Sequence, residues 1–274
     1  MTTPTTLEDI ARQALGGDRD ALDGLVRALQ GDLYGLALRM LWNREDAEDA
    51  TQEILVRIVT RLSQFTFQSR LKTWAYRVAV NYILDTKKSA IEKLHLGFDR
   101  FADDLAEGLQ PASAGDAEAS VLIDEVKVGC SLAMLQCLDR PHRLAYVLGE
   151  ILELSGPEAV EVLEISPALF RKRLQIARET IIQFTRSHCG LVSDAAPCRC
   201  NRRVSNVVPS TPQPLTFARQ ATSFQQARAL VRRVDEARWA LEVHRTSQPR
   251  ASSVDFAQRL LHAIDPADDV APRS

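Results

Sequence analysis

Residues 46–62 read Asp-Ala-Glu-Asp-Ala-Thr-Gln-Glu-Ile-Leu-Val-Arg-Ile-Val-Thr-Arg-Leu. The acids Asp46, Asp49 and Glu53 fall at positions i, i+3 and i+7, which lie on one face of an α-helix. Apolar residues continue at helical spacing through Ile58, so the stretch predicts an amphipathic helix with three carboxylates on one side. Such a face fits a docking surface for a basic partner, the metal site of a nuclease, or an ordinary solvated helix.

The same periodicity extends over the segments on both sides of this helix. Apolar residues recur every three or four positions over residues 22–41 and again over residues 74–83. The stretch 64–70, which contains Phe and Ser residues, interrupts the pattern and is predicted to be a loop. Residues 1–88 therefore predict a bundle of about four helices, and the chain as a whole is predicted to be all-α.

Composition excludes several classes of protein. The chain has 274 residues, 45% of them apolar, which is typical of a globular protein of about two domains. Lys and Arg number 34 against 36 Asp and Glu, and the net charge of −2 excludes a uniformly basic nucleic-acid coat protein. No apolar run approaches the roughly 18 residues that span a bilayer. The first residues lack a basic and an apolar stretch, so we expect no secretory signal there. With five cysteines, an odd number, we expect reduced thiols, a cytoplasmic protein and no membrane insertion.

Charge is strongly segregated along the chain. Residues 57–88 carry seven bases against one acid, whereas residues 89–125 carry nine acids against two bases and are predicted to be an acidic linker. A second helical block is predicted at residues 126–187, followed by a Cys-rich element at 188–203. A second linker, rich in Pro, Ser and Thr, is predicted at 204–216, and a helical tail at 217–274.

The second helical block has the pattern of a helix-turn-helix. An apolar helix over residues 144–152 is followed by Ser155-Gly-Pro-Glu158, which ends it and starts a short helix, because Pro suits the first helical turn. Ser166-Pro167 repeats the start signal and opens a longer helix to about Thr185. The first turns of that helix carry Arg171, Lys172 and Arg173, and cations at this position suit insertion into a DNA major groove.

Aromatic and cationic residues alternate over residues 65–82. Cations bind phosphates and aromatic faces stack on unpaired bases, so this composition is typical of a site for single-stranded or flipped nucleotides. The alternative is that Trp74 and Tyr82 belong to the core and the cations form a solvated face.

These motifs resemble one known family. The sequence 46–53 resembles the signature of the second conserved region of extracytoplasmic-function (group 4) sigma factors, and residues 67–88 follow in family order. Residues 138–143 and 158–178 are similar to the family's fourth region. The resemblance extends over about residues 22–187. It implies an all-α fold with the helical bundle of sigma region 2 and the helix-turn-helix of sigma region 4, here extended by a helical C-terminal tail.

The resemblance also implies functions for particular residues. Asp46, Asp49 and Glu53 are expected to dock on the β′ coiled coil of core RNA polymerase, which favours docking over metal binding for these acids. Region 2 is expected to recognise and melt the −10 promoter element through Arg70, Lys72, Trp74, Arg77, Asn81, Lys87 and Lys88. Region 4 is expected to contact the β flap and to read the −35 element through Ser166, Arg171, Lys172 and Arg173.

A sigma factor of this kind binds core polymerase and promoter DNA and starts transcription, and the polymerase does the chemistry. The implied protein therefore has no catalytic residues and requires no cofactor, and an anti-sigma factor is a further expected partner. The alternative function is a helix-turn-helix regulator that binds duplex DNA without core polymerase.

The Cys-rich element departs from the family pattern. His188, Cys189, Cys198 and Cys200 are residue types that bind zinc or copper, although their spacing matches no standard zinc finger. One hypothesis is a metal or redox site, and the other is a structural turn that packs against region 4. Cys130 and Cys137 are predicted to be core thiols.

The tail is predicted to contain two helices, over residues 217–244 and 254–264, the first of them amphipathic and rich in Arg. One hypothesis is that the tail folds back to gate promoter binding or replaces a separate anti-sigma protein. The other is a peripheral appendage.

Overall fold

The computed structural model describes residues 6–86, 92, 96–107, 117–203, 241, 244–245 and 251–264. Regular structure in these ranges is helical, as predicted, and an isolated bridge between Cys189 and Cys198 is the exception. None of the helices in these ranges is long and apolar enough to cross a membrane. The α-helices are α1 (Leu7–Leu15), α2 (Arg19–Leu41), α3 (Arg44–Thr60), α4 (Leu71–Asp85), α5 (Phe98–Ala106), α6 (Ala117–Cys137), α7 (Arg140–Tyr146), α8 (Gly156–Leu163), α9 (Pro167–His188) and α10 (Phe256–Ile264).

The chain divides into two compact units. The first contains Met1–Ser89, Pro157–Ile165 and Ala251–Ser274, and the second contains Ala90–Gly156 and Ser166–Arg250. In the first unit, α2 packs along α1, α3 and α4, and α10 packs on α2 and α3. The core contains aliphatic and aromatic side chains, and its largest fully buried side chains are Leu25, Leu29, Leu33, Leu36, Met40, Ile54, Leu55, Ile58, Leu71 and Ile83.

Side-chain caps fix where the helices of the first unit begin. The Asn43 side chain accepts the backbone N–H of Asp46 at 2.9 Å, which starts the acidic helix α3. Helix α4 has no cap of its own, because Arg70 at the cap position makes no side-chain hydrogen bond to it. The carboxylate of Glu8, on α1, supplies one by accepting the N–H of Leu71 at 2.8 Å.

The second unit contains a helix that the composition did not predict. Residues 98–106, within the predicted acidic linker, form α5, and this helix packs on α6 and α9. Phe101 and Leu105, one helical turn apart, are buried, and Phe101 stacks on Phe184 of α9 with ring centroids 5.4 Å apart. The burial of these two apolar residues gives the segment a fixed place despite its acidic composition.

The structure also differs from the single helix predicted over residues 144–152. Helix α7 ends at Tyr146, and the chain continues as a π-helical turn, Val147–Ile151. A Cβ on Gly149 in this turn would lie 3.0 Å from a methyl carbon of Leu174 and 3.3 Å from the ring of Phe170. The absence of a side chain at Gly149 therefore allows α9 to approach the turn closely.

A buried ion cluster joins α6 to α7. Arg140 and Arg143 contact the carboxylate of Glu92 at 2.7 and 3.1 Å, and the side chains of Arg143 and Glu92 are only 3% and 4% exposed. Arg143 also donates to the carbonyl oxygens of Leu135 and Leu138, at 2.8 and 2.9 Å, where α6 ends. The sequence 138–143, which carried part of the family resemblance, thus builds the junction between two helices.

We predict that Arg143→Met destabilises the protein strongly. The substitution leaves Glu92 with Arg140 but removes its second cation and two hydrogen bonds to buried carbonyls, and we expect a cost of about 2–4 kcal/mol. Urea unfolding measures this free energy. Asp23→Ala breaks an exposed pair with Arg27 and is the control, with an expected cost of less than about 1 kcal/mol. Equal costs for the two variants would contradict the assignment.

Candidate nucleic-acid interface

Helix α3 turns its acidic residues away from the core. Ala47, Ala50 and Ile54 are buried against the bundle, whereas Asp46, Asp49 and Glu53 are exposed. Because the three carboxylates are exposed and share one side of the helix, they form a surface that a cationic partner can reach. This surface is called the acidic face below.

The loop between α3 and α4 is held by aromatic packing. Phe65 is 5% exposed and contacts Phe67 and Trp74, with ring centroids 4.6 and 5.4 Å apart. Phe67 adopts a left-handed backbone conformation, with φ of 58°, and the guanidinium of Arg12 lies 4.7 Å from its ring centroid. The loop is therefore an ordered corner that sets the start of α4.

A cavity of about 540 Å³ lies beside this corner, and three predicted DNA-binding residues line it. Trp74 is 6% exposed, so most of its ring packs in the core. Arg77 and Asn81 follow one and two turns later on α4. The full lining is Arg57, Arg61, Gln64, Trp74, Arg77, Val78, Asn81, Leu84, Asp85 and Glu164.

Two cations of this cavity were not among the predicted DNA-binding residues. Arg57 lies in the last turn of α3, where it covers the ring of Tyr82 at 4.6 Å, and Arg61 is the residue that ends the helix. They are four residues apart and therefore lie on one helix face. This spacing is visible in the sequence and would have indicated a second pair of cations beside α4. With Arg77 they give the cavity three guanidinium groups against the carboxylates of Asp85 and Glu164.

The remaining predicted region 2 residues do not line the cavity. Lys72 pairs with Asp32 at 2.7 Å, with both side chains nearly half exposed. Arg70 is 79% exposed and lies 3.3 Å from Glu158. Lys87 and Lys88 lie outside the residues that the structure describes.

Two carboxylates of the segment Pro157–Ile165 stand against this cationic surface. Glu158 pairs with Arg70, and Glu164 lines the cavity with the three arginines. The two carboxylates thus offset part of the positive charge of these arginines.

The start of α9 agrees with its prediction. The Ser166 side chain accepts the N–H of Leu169 at 3.2 Å and caps the helix. Arg171 and Lys172 are exposed, and Arg173 is partly buried. Arg178, further along, pairs with the carboxylate of Glu150, which is 1% exposed, so this arginine has a structural partner and differs from the cations of the first turns.

Three of the four predicted metal ligands come together. Cys189, Cys198 and Cys200 line a single small cavity, together with Cys130 of α6. His188 is not among the lining residues, and its ring packs on Phe184 with centroids 4.6 Å apart. In the ranges that the structure describes, no three His, Cys, Asp or Glu side chains stand in a geometry that could already hold a metal ion.

Comparison with known proteins agrees with this arrangement. The family model for sigma-70 region 2 matches residues 25–90, which include the acidic face and every residue of the arginine-lined cavity except Glu164. The ECF RNA polymerase sigma factor SigW of Bacillus subtilis is 28% identical over 178 residues, covering 62% of this chain and 91% of that protein. The RNA polymerase sigma-H factor of Pseudomonas aeruginosa is 27% identical over 200 residues, covering 66% and 94%. SigE of Mycolicibacterium smegmatis, another ECF sigma factor, is 27% identical over 191 residues, covering 66% and 68%.

The chain belongs to the extracytoplasmic-function sigma factors. Within this sigma factor, helices α3 and α4 lie inside the matched region 2. The basic start of α9 lies beyond that match. Each of the three alignments also leaves about a third of the sigma factor uncovered, so the chain is longer than the part these relatives share with it.

Proposed function

We propose that this sigma factor binds core RNA polymerase through the acidic face and holds the −10 promoter element in the arginine-lined cavity. A sigma factor acts in transcription initiation by binding, and the family is not enzymatic. The observation that carries the proposal is the position of the two surfaces in one bundle. Helix α3 exposes three carboxylates within its first ten residues and contributes Arg57 to the cavity in its last turn.

The chemistry of each surface supports its assignment to a different partner, the acidic face to core polymerase and the arginine-lined cavity to DNA. Three exposed carboxylates on one helix side attract a basic partner and repel nucleic acid. Three guanidiniums attract phosphates, and the part of Trp74 that lines the cavity offers an apolar contact for a base. Exposed Arg171 and Lys172 at the start of a capped helix suit a duplex major groove, which supports the −35 assignment.

We predict that the triple variant Asp46→Ala/Asp49→Ala/Glu53→Ala loses co-elution with bacterial core RNA polymerase on gel filtration. Three lost charge pairs of about 0.5–1 kcal/mol each weaken binding about 10- to 100-fold. The control variant Asp20→Ala/Asp23→Ala/Glu179→Ala removes the same charge from other surfaces and is expected to co-elute. Co-elution of the first variant at wild-type strength would contradict docking through the acidic face.

We predict that Glu158→Gln/Glu164→Gln increases affinity for a single-stranded −10 oligonucleotide about two- to tenfold, because the two carboxylates compete with phosphates for exposed cations. The measurement is fluorescence anisotropy at several salt concentrations. Unchanged or weaker binding would contradict a strand site at the cavity.

The matched control in the same measurement is Arg171→Ala/Lys172→Ala. This variant is expected to bind the single strand normally. With a duplex that carries a −35 element, it is expected to lower the slope of log affinity against log salt by about 2, because two phosphate contacts are lost.

The C-terminal tail contacts region 2 directly. Phe256 of α10 is 2% exposed and lies against Tyr34, with ring centroids 6.3 Å apart. Asp255 pairs with Arg27 at 3.1 Å, and Ser252 donates to the carboxylate of Glu48 at 2.8 Å. The acidic face remains exposed with α10 in place. Most of the predicted amphipathic helix at residues 217–244 lies outside the described residues.

These contacts support a tail helix that braces region 2 and leaves the polymerase surface open. We predict that Phe256→Asp in the full chain undocks α10 and lowers the melting temperature, while co-elution with core polymerase stays at wild-type strength. Gln258→Asp adds the same charge at an exposed position of α10 and is expected to change neither. Core polymerase binding that appears only in Phe256→Asp would show instead that the tail gates docking.

A further inference from the structure

Four of the five cysteines meet at one place in the second unit. Cys130 comes from α6, Cys189 follows the end of α9, and Cys198 and Cys200 belong to the Cys-rich element. Together they line a cavity of about 30 Å³ whose other walls are Phe101, Leu105, Lys127, Met134, Phe184 and Leu191. A cavity of this size has room for a water molecule or a single ion, and the walls place four sulfurs among mostly apolar side chains.

The fifth cysteine has different surroundings. The Cys137 thiol donates to the carbonyl oxygen of Ala133 at 3.4 Å, and Cys137 does not line the cavity. Cys130 and Cys137 were predicted to be similar core thiols, but the structure separates them. Only Cys130 joins the cysteines of the C-terminal element.

The backbone around the cavity places Cys189 and Cys198 next to each other. Cys189 and Cys198 form a backbone bridge, and Gly190 donates its N–H to the carbonyl oxygen of Cys198 at 3.0 Å. A Cβ on Gly190 would overlap both that oxygen and the guanidinium of Arg199. Arg199 in turn donates to the carbonyl oxygens of Asp194 and Cys198, each at 2.9 Å, and so closes the loop.

Polar groups around the sulfurs suit negative charge there. Arg199 is close to Cys189, and the backbone N–H of Val192 donates to the carbonyl oxygen of Cys189 at 3.0 Å. Arg199, Arg202 and Arg203 surround Cys198, and Lys127 is close to Cys200. Cations around a thiolate form part of the second shell that stabilises a metal–thiolate centre.

Burial opposes the thiolate form when no ion is bound. It raises the pKa of Cys130 to about 12, and raises the pKa of Cys189, Cys198 and Cys200 as well. The four thiols are therefore protonated and poor nucleophiles near neutral pH. A bound cation stabilises the thiolate form, which burial among apolar side chains otherwise disfavours.

We propose that Cys130, Cys189, Cys198 and Cys200 bind one divalent zinc-class ion. Four thiolates without an open position are the ligand set of a closed tetrahedral zinc site, which is structural rather than catalytic. Since the described side chains do not already stand in metal-holding geometry, binding turns the sulfurs inward by side-chain rotation. Binding also releases four thiol protons, so the affinity falls as pH decreases.

The proposed ligand set corrects the one suggested by sequence spacing. It replaces His188, whose ring packs on Phe184, with Cys130, which lies far away in sequence. The ion would link three segments of the second unit: the middle of α6, the end of α9 and the Cys-rich element. The inference does not depend on the proposed DNA or polymerase contacts.

The experiment is titration of the full, reduced chain with Co²⁺ under anaerobic conditions, followed by displacement with Zn²⁺. We expect one Co²⁺ per chain, with the intense visible absorption of a tetrahedral site and sulfur-to-metal charge-transfer bands. Cys130→Ser is expected to weaken binding at least tenfold and to shift these bands. Cys137→Ser and His188→Ala are the matched controls, and both are expected to give the wild-type spectrum.

A second measurement uses the wild-type chain and does not depend on the folding of any variant. With Zn²⁺ bound, a thiol reagent is expected to modify Cys130, Cys189, Cys198 and Cys200 at least tenfold more slowly than after a chelator is added, whereas the rate at Cys137 is expected to stay the same. Absence of Co²⁺ binding, a wild-type spectrum from Cys130→Ser, or rates at the four cysteines that Zn²⁺ does not change would each overturn the proposal.

Discussion

The packing of α3 against α2 is the interaction on which both proposed binding surfaces depend. Ile54, Leu55 and Ile58 are almost completely buried, and each large side chain contributes about 1.5–3 kcal/mol by leaving water. This burial fixes the rotation of α3 about its axis. Once the rotation is fixed, Asp46, Asp49 and Glu53 must face solvent. A helix turned by one residue would bury a carboxylate, which is prohibitive without a partner.

The position of α4 depends on a second, more local constraint. The helix begins after a loop whose corner residue, Phe67, has a left-handed backbone, and its own cap position makes no side-chain bond. Glu8 supplies the missing acceptor from α1, and Phe65 packs on Trp74. Arg77 and Asn81 are thereby held on a rigid element beside Arg57 and Arg61. A preorganised site of this kind loses little conformational entropy when it binds a strand.

Local sequence signals predicted the parts of the structure that local physics determines. The periodicity of α3, the interruption after Leu62 and the Ser166 cap of α9 all depend on residues within a turn or two of each other, and each of these predictions is confirmed. The all-α class followed from the same patterns. The family resemblance added the expected roles of the acidic face and the basic start of α9.

Features that depend on distant residues were missed. Helix α5 is held by Phe101 and Leu105 against the second unit, and its acidic sequence suggested a linker. Cys130 joins three cysteines at least 59 positions away, which no spacing rule for a metal motif detects. The buried Glu150 that pairs with Arg178, and the carboxylates of Glu158 and Glu164 near the arginine-lined cavity, likewise become visible only when the chain is folded.

The most direct test of the central claim is permanganate footprinting of a promoter in the presence of core RNA polymerase and this chain. Permanganate modifies unpaired thymines, so it reports melting of the −10 element. We expect reactive thymines at that element only when core polymerase and the sigma factor are both present. Sequence-specific binding to the duplex by the chain alone, with no melting when core polymerase is added, would contradict the account and favour a regulator that acts without polymerase.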